Sequence, residues 1–240
     1  VSIIAIVPTY NERENIEPLV RQLLDLPVEL RVLVVDDNSP DGTGEAADAL
    51  AAESPDRVLV LHRPAKLGLG TAHIAGFRQA LSLGADRVLT MDADFSHHPR
   101  YIPAILDKIA DGYDVVIGAR YVPGGGTRGW TLPRRVLSWG ANTFARTMLG
   151  LRIHDTTGAF RCYRRQVLES MDLEAIRSSG YSFLIEMAYG VQRAGWRIGE
   201  VPIIFEDRRL GQSKISRREI TRALWTVLRL AWGRLRGRGG

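Results

Sequence analysis

Short apolar runs rich in β-branched residues recur through the first half of the chain, at 3–7, 31–35, 57–61, 87–91 and 115–118. Their apolar residues stand at successive rather than alternate positions, so they read as strands buried on both faces. Between them lie stretches with helical spacing at 14–26, 42–52, 70–83 and 99–110, each opened by Asn, Asp, Gly or Pro, residues that start helices. Strand and helix alternating in this way predict a mostly parallel sheet with helices on both faces, whose ligands gather outside the carboxyl ends of the strands. Further along, the pattern predicts a mobile loop over 121–129, where Pro123 precedes three glycines, then a helix over 134–149 and a polar turn over 155–158. A helix over 181–193 and a strand over 198–205 follow.

The last periodic stretch differs in kind. Leu224, Trp225, Leu228, Ala231, Trp232 and Leu235 repeat at helical spacing, with Arg222, Arg229 and Arg236 seven apart. An amphipathic helix carrying Trp and Arg has the composition of an element lying in a membrane interface, and packing on the domain is the competing explanation. Charge separates the same region: from Arg208 onward ten Lys or Arg face Glu219 alone, about +9, and the remainder of the +5 chain is near −4. The expected organisation is one α/β domain over 1–207 with a basic, amphipathic tail over 208–240. At 240 residues, 45% hydrophobic and 25% charged, the chain can bury a sizeable core and is not disordered. Cys162 is the single cysteine, which excludes an intrachain disulfide and fits a reducing compartment. No run approaches the roughly 20 apolar residues of a membrane-spanning helix, and the strand-like start lacks the basic opening of a signal peptide.

The candidate chemistry sits at the predicted strand ends. Asp92-Ala93-Asp94 closes the run ending at Met91, and two carboxylates so placed can share a divalent ion with a diphosphate, because Mg²⁺ and Mn²⁺ take oxygen ligands from few protein groups plus substrate phosphates. Tyr10, Asn11 and Glu12 end the first run, and Asp36 and Asp37 end the second; they offer a ring for stacking and acceptors for a base or ribose, or else they only cap and turn. Lys66-Leu67-Gly68-Leu69-Gly70 lacks the ending of a P-loop and the spacing of a dinucleotide fingerprint, which disfavours a dehydrogenase. Arg134 and Ser138 share a helix face, and with Arg120 they supply forks and a hydroxyl for a phosphate monoester. The segment 208–214 is a polar loop able to close over a diphosphate, or a solvated linker. His97 and His98 follow the acidic pair, without the further Cys or His that a zinc site needs.

Five segments, Val7-Pro8-Thr9-Tyr10-Asn11-Glu12-Arg13-Glu14-Asn15, Val35-Asp36-Asp37-Asn38-Ser39-Pro40-Asp41, Met91-Asp92-Ala93-Asp94, Gly118-Ala119-Arg120-Tyr121 and Gly211-Gln212-Ser213-Lys214, jointly resemble the family-2 glycosyltransferases of GT-A fold. Within them the chain is similar to the polyprenol (dolichol) phosphate mannose synthases, from residue 3 to about residue 215. The resemblance implies a GT-A, Rossmann-like sheet with a C-terminal amphipathic helix, and inverting transfer of mannose from GDP-mannose to a polyprenyl monophosphate. It implies that Pro8, Tyr10, Glu12, Val35 and Asp37 hold the guanosine, and that Asp92, Ala93 and Asp94 hold Mg²⁺ or Mn²⁺ and the donor. By the same resemblance Arg208 and Lys214 cover the diphosphate, and Arg120, Arg134 and Ser138 receive the lipid phosphate. Catalysis is then expected to rest on Asp92, Asp94, Arg120 and Arg134. Ser96 stands where relatives often carry a metal-side Gln, and ligates through water or not at all. Many relatives also carry C-terminal transmembrane helices, where this chain has its amphipathic tail. The implied setting is peripheral, on the cytoplasmic face of a membrane met by the tail. A UDP-glucose-dependent polyprenyl-phosphate glucosyltransferase is the alternative enzyme; a non-catalytic nucleotide-sugar or nucleic-acid-binding module is the alternative outside catalysis. No recognised nucleic-acid motif is present and the tail's Trp and Leu suit lipid better, so no nucleic-acid partner is expected.

Overall fold

The computed structural model describes residues 1–207 and 217–235. Four strands, β1 (Ile3–Thr9), β2 (Arg31–Asp36), β3 (Val58–His62) and β4 (Arg87–Thr90), run parallel in the order β3-β2-β1-β4. Beyond β4 lies β7 (Arg161–Arg164), antiparallel to both neighbours, and then β5 (Val115–Ala119) and β8 (Ile198–Pro202), parallel to each other. A separate parallel ribbon pairs β6 (Gly126–Arg128) with β9 (Ile204–Glu206).

Both faces of the sheet are covered, which is why its strands lack alternation. Ile3, Ala5 and Val7 of β1 point to one side, against α1 (Arg13–Leu24), α2 (Thr43–Glu53) and α4 (Ile102–Ala110). Ile4 and Ile6 point to the other, into a core with α3 (Leu69–Ser82), α5 (Leu132–Leu149), α7 (Tyr181–Arg193) and α8 (Arg217–Leu235). Burying each of these isoleucines contributes about 1.5–3 kcal/mol. The helix α3 lies so close to β1 that a Cβ at Gly76 would stand 2.7 Å from Ile6 Cγ2, so no larger residue fits there without repacking.

Three features depart from the sequence expectation. The strand β7 and the short helix after it, α6 (Arg165–Ser170), fall where no regular element was expected. The segment expected as a mobile loop over 121–129 contains β6, and a Cβ on Gly125 would meet the Ala119 carbonyl at 2.6 Å. The single strand expected over 198–205 is two, because the chain leaves β8 at Pro202 and joins the ribbon at Ile204. The terminal helix α8 packs on the domain, the second of its two readings, and leaves its other side exposed. Val227 and Ala231 are buried in the core shared with α5 and α7, and Arg229 reaches Glu186 of α7 at 2.7 Å, while Leu224, Trp225, Leu228 and Trp232 remain exposed.

His73 of α3 is enclosed in this core between Phe77 and Phe183, its Nδ1–H donating to the Leu69 carbonyl at 2.9 Å. Burial pushes its pKa from 6.5 down to about 4, so the fold holds the neutral ring. Because the unfolded chain binds the proton more readily, this contribution to stability is complete above the unfolded pKa and is lost as pH falls from 6.5 toward 4. Between pH 7 and pH 5 the loss should be about 2 kcal/mol. Denaturant unfolding of the wild type and of His73→Gln at both pH values should show a pH dependence smaller by about that amount in the variant; equal dependences would refute the assignment.

Candidate functional site

The loops after β1, β2, β4 and β5 open at one end of the sheet, and the chain turns from the β1–β2–β3 half to the β4 half beside β1. Hydrogen bonds set the loops in register, with Asp37 N–H donating to Thr9 O at 3.0 Å and Met91 N–H to Ile6 O at 3.2 Å. Among the described residues, the non-glycine positions with positive φ are Asn11, Asn38 and Phe95, one in each of the loops after β1, β2 and β4. Asn tolerates this conformation. Phe95, at φ 61°, sits between Asp94 and Ser96 with its ring buried in the core, and that burial offsets a backbone cost of about 1–3 kcal/mol.

These loops line a cavity of about 1180 Å³. Of the residues expected from sequence, Pro8, Tyr10, Glu12, Asp37, Asp92, Ala93, Asp94, Arg120, Arg134 and Ser138 all line it. Val35 and Ser96 do not line it: the Val35 side chain is core, leaving only its backbone for a ligand, and Ser96 is fully buried. Arg208 and Lys214 lie outside the described residues, as does the whole loop over 208–214 expected to cover a diphosphate.

At one end of the cavity the neighbouring carboxylates Asp36 and Asp37 take different roles. Asp36 closes a turn, accepting from Ser39 N–H at 3.1 Å and from Thr9 Oγ1 at 3.2 Å. Asp37 faces the cavity and pairs with the buried guanidinium of Arg63. Burial raises the Asp37 pKa, and Arg63 opposes that rise without cancelling it. Glu12 does not cap α1 with its side chain; it accepts from Asn15 Nδ2 at 2.7 Å. The Tyr10 ring carries the ammonium of Lys66 3.7 Å from its centroid, a cation–π contact that the sequence pattern did not disclose.

The middle of the cavity holds the acidic pair. Asp92 is partly exposed, and Asp94 is nearly buried, with one oxygen accepting Ser96 N–H at 3.0 Å. Ser96 Oγ is buried and has no hydrogen-bond partner among the described residues. Two carboxylates beside an unsatisfied hydroxyl fit a hard divalent ion such as Mg²⁺ or Mn²⁺. Among the described residues no group of three or more His, Cys, Asp or Glu gathers as a metal cage. His97 holds the same loop: its Nδ1 accepts Asp92 N–H at 3.2 Å, which places the ring proton on Nε2. The ring stacks on Phe160, and burial lowers its pKa to about 4.

At the far end stand the arginines. Arg120 is buried and makes a two-pronged ion pair with Asp155, at 2.7 and 2.6 Å. Burial alone would lower the arginine's pKa and raise that of the aspartate; their mutual attraction reverses both, leaving Arg120 raised and Asp155 lowered. Arg134 lies over the Trp130 ring, 4.2 Å from its centroid, and pairs with Asp207 at 2.9 Å. Ser138 Oγ accepts from Tyr121 O–H at 2.7 Å. Asp155 lies in the turn that the sequence marks as polar, and Tyr121 closes the Gly118–Tyr121 segment, whereas Trp130 carries no signal of its own. From here the cavity continues between α5 and α8, lined by Val136, Leu137, Phe144, Ala223, Leu224 and Val227.

Residues 4–172 match the profile described as glycosyl transferase family 2. The chain is 48% identical over 235 residues to a protein of Mycolicibacterium smegmatis named polyprenol monophosphomannose synthase, covering 98% of this chain and 88% of that one. It is 47% identical over 231 residues to the undecaprenyl-phosphate mannosyltransferase of Micrococcus luteus, covering 96% and 93%. Among solved structures it is similar in fold to glucosyl-3-phosphoglycerate synthase of Mycobacterium tuberculosis. The complex of that enzyme with Mn²⁺, UDP and glucosyl-3-phosphoglycerate aligns with a TM-score of 0.67 at 20% identity, over 96% of this chain and 80% of that one. Its complex with Mg²⁺ and UDP aligns at 0.66 and 21%, over 96% and 79%.

Proposed function

The chain belongs to glycosyl transferase family 2, and from that premise we propose that it transfers mannose from GDP-mannose to a polyprenyl monophosphate, with inversion at the anomeric carbon. The observation that carries this reading is the continuity of one cavity from the acidic pair, past Arg120, Arg134 and Ser138, into an apolar groove between α5 and α8. A water-soluble phosphate acceptor would have no use for the groove, while a prenyl chain matches it in polarity. The names of the two relatives, both mannosyl and both prenyl phosphate, support mannose over glucose.

The chemistry asks little of a general base. A phosphate monoester has its second pKa near 6, so the acceptor oxygen is already largely anionic at neutral pH. The protein's work is to bring that oxygen in line with the anomeric carbon and to receive the charge that develops on the departing nucleoside diphosphate. Arg120, Arg134 and Ser138 hold the acceptor phosphate, and Tyr10 and Asp37 hold the nucleoside. Asp92 and Asp94 would hold Mg²⁺ or Mn²⁺, which when bound takes up charge on the diphosphate oxygens. Glu12 adds a carboxylate at the nucleoside end, and Pro8 and Ala93 complete its walls. Arg208 and Lys214 belong to the same proposal as covering residues.

No helix among the described residues is long and apolar enough to cross a membrane. We place the enzyme at the cytoplasmic surface of a membrane, seated by the exposed face of α8, where Trp225 and Trp232 are 69% and 57% exposed.

Labelled sugar should pass from GDP-mannose to a polyprenyl phosphate in detergent with Mg²⁺ and not with EDTA. Transfer from UDP-glucose instead would move the assignment to a glucosyltransferase, and transfer from neither would reopen a purely binding role. Asp94→Asn should reduce turnover about 100-fold or more, and Arg134→Ala should raise the acceptor KM about tenfold. Near-normal values in either variant would remove that residue from its proposed role. The paired change Trp225→Ser with Trp232→Ser should weaken co-sedimentation with anionic vesicles severalfold while leaving GDP affinity unaltered; undiminished vesicle binding would exclude α8 as the seat.

A further inference from the structure

Arg120 is expected to meet the acceptor phosphate, yet its positive charge is already matched by Asp155. The aspartate accepts four hydrogen bonds. Its Oδ2 takes the Arg120 backbone N–H at 2.9 Å and Nε–H at 2.7 Å; its Oδ1 takes Nη2–H at 2.6 Å and Gly158 N–H at 3.0 Å. The second Nη2 hydrogen goes to Thr157 Oγ1 at 2.9 Å. Of the five guanidinium hydrogens, three are thereby fixed. The two on Nη1 make no hydrogen bond among the described residues, on a side chain that lines the cavity with its guanidinium 5.2, 5.6 and 5.3 Å from the Tyr121, Trp130 and Phe205 rings.

The arrangement reaches further than one side chain. Thr157 Oγ1 also accepts from Asn142 Nδ2 at 3.1 Å, and that amide donates to the Ser138 carbonyl at 2.9 Å. Asn142 Oδ1 in turn accepts from Thr156 N–H at 2.7 Å. The turn from Asp155 to Gly158 therefore connects the end of β5, which carries Arg120, to the stretch of α5 that carries Arg134 and Ser138.

We propose that Asp155 is the positioning residue of the acceptor-phosphate site: with Thr157 and Asn142 it locks the Arg120 guanidinium so that Nη1 alone is presented, in fixed relation to Ser138. The inference rests on the proposed transfer to a prenyl phosphate. Recognition at Arg120 then depends on the direction of two N–H bonds more than on net charge, since the pair is close to neutral. Such preorganisation removes the cost of turning the guanidinium when the phosphate arrives.

Charge and position make opposite predictions for one substitution. Removing the negative charge in Asp155→Asn should, by attraction alone, tighten binding of an anionic acceptor; loss of orientation should weaken it. We expect the acceptor KM to rise about tenfold or more and kcat to fall, with the donor KM within about twofold of wild type. Removal of the carboxylate leaves a buried guanidinium uncompensated and can prevent folding, so thermal unfolding is measured first. Thr157→Val, which removes one acceptor from Arg120 and no charge, should raise the acceptor KM about threefold in the same assay. An acceptor KM that falls or stays constant in folded Asp155→Asn, or in Thr157→Val if the former does not fold, overturns the positioning role. A wild-type protein that transfers no sugar to prenyl phosphate overturns the proposed function, and this inference with it.

Discussion

The turn from Asp155 to Gly158 lies between two buried guanidinium groups, and it holds three hydrogens of one and two of the other. Arg120 closes on it through the Asp155 carboxylate, and Arg161 through backbone carbonyls, with Nε–H to Gly158 O at 2.7 Å and Nη2–H to Thr156 O at 2.9 Å. A third Arg161 contact, Nη1–H to Leu184 O at 2.9 Å, fastens α7 to the same point. A buried charge without such partners costs several kcal/mol, so removing any one contact strains the others. The turn therefore fixes β5, β7, α5 and α7 relative to one another. The basic end of the cavity is part of that same network.

The other end of the cavity follows from topology. Parallel strands place all their carboxyl ends on one edge of the sheet, and the passage from β3 back across to β4 opens a crevice there. Acidic residues fall in the crevice because the loops after β1, β2 and β4 are short and sharply turned. Positive φ at Asn11, Asn38 and Phe95 makes those turns possible. The strain at Phe95 is tolerable only because its ring is anchored in the core, which places Asp94 and Ser96 on a rigid base. Acid and base thus meet across a single space while belonging to differently constrained parts of the fold, one set by strand order and the other by the turn at 155–158.

This difference explains what could be read from the sequence. The strand runs at 3–7, 31–35 and 115–118 were visible because burial on both faces leaves an uninterrupted apolar signature. Strand β7 was not visible: Arg161 occupies it fully buried, and a charged residue within a central strand defeats any hydrophobicity pattern. The cavity-facing carboxylates were legible as local motifs at strand ends. Lys66 on the Tyr10 ring, Trp130 under Arg134 and Asp155 behind Arg120 were not, because each relation joins residues whose contact is created by folding rather than by spacing. The division of Asp36 from Asp37 is of the same kind. Asp36 ends β2 and accepts from Ser39 in the turn, while Asp37, the first residue past the strand, meets Arg63 at the cavity, a partner distant in sequence.

The helix α8 joins these levels. Its inner side belongs to the core with α5 and α7, and the Arg229–Glu186 pair, with Ser178 Oγ accepting from Arg229 Nη2 at 3.2 Å, fixes its docking. Its outer side leaves Leu224, Trp225, Leu228 and Trp232 exposed, and Leu132, Val136 and Trp139 are exposed on the packed neighbour α5. Where exposed apolar residues join into one surface, that surface marks an interaction site. The groove between the same two helices leads to Arg134 and Ser138. If a lipid surface covers that apolar side, a prenyl chain can leave it between α5 and α8 with its phosphate moving toward the arginines, so the acceptor's chain need never be transferred wholly into water. The cost avoided grows by about 0.8 kcal/mol for each methylene kept from water, which is a physical reason for the apolar face and the phosphate site to be built on the same pair of helices.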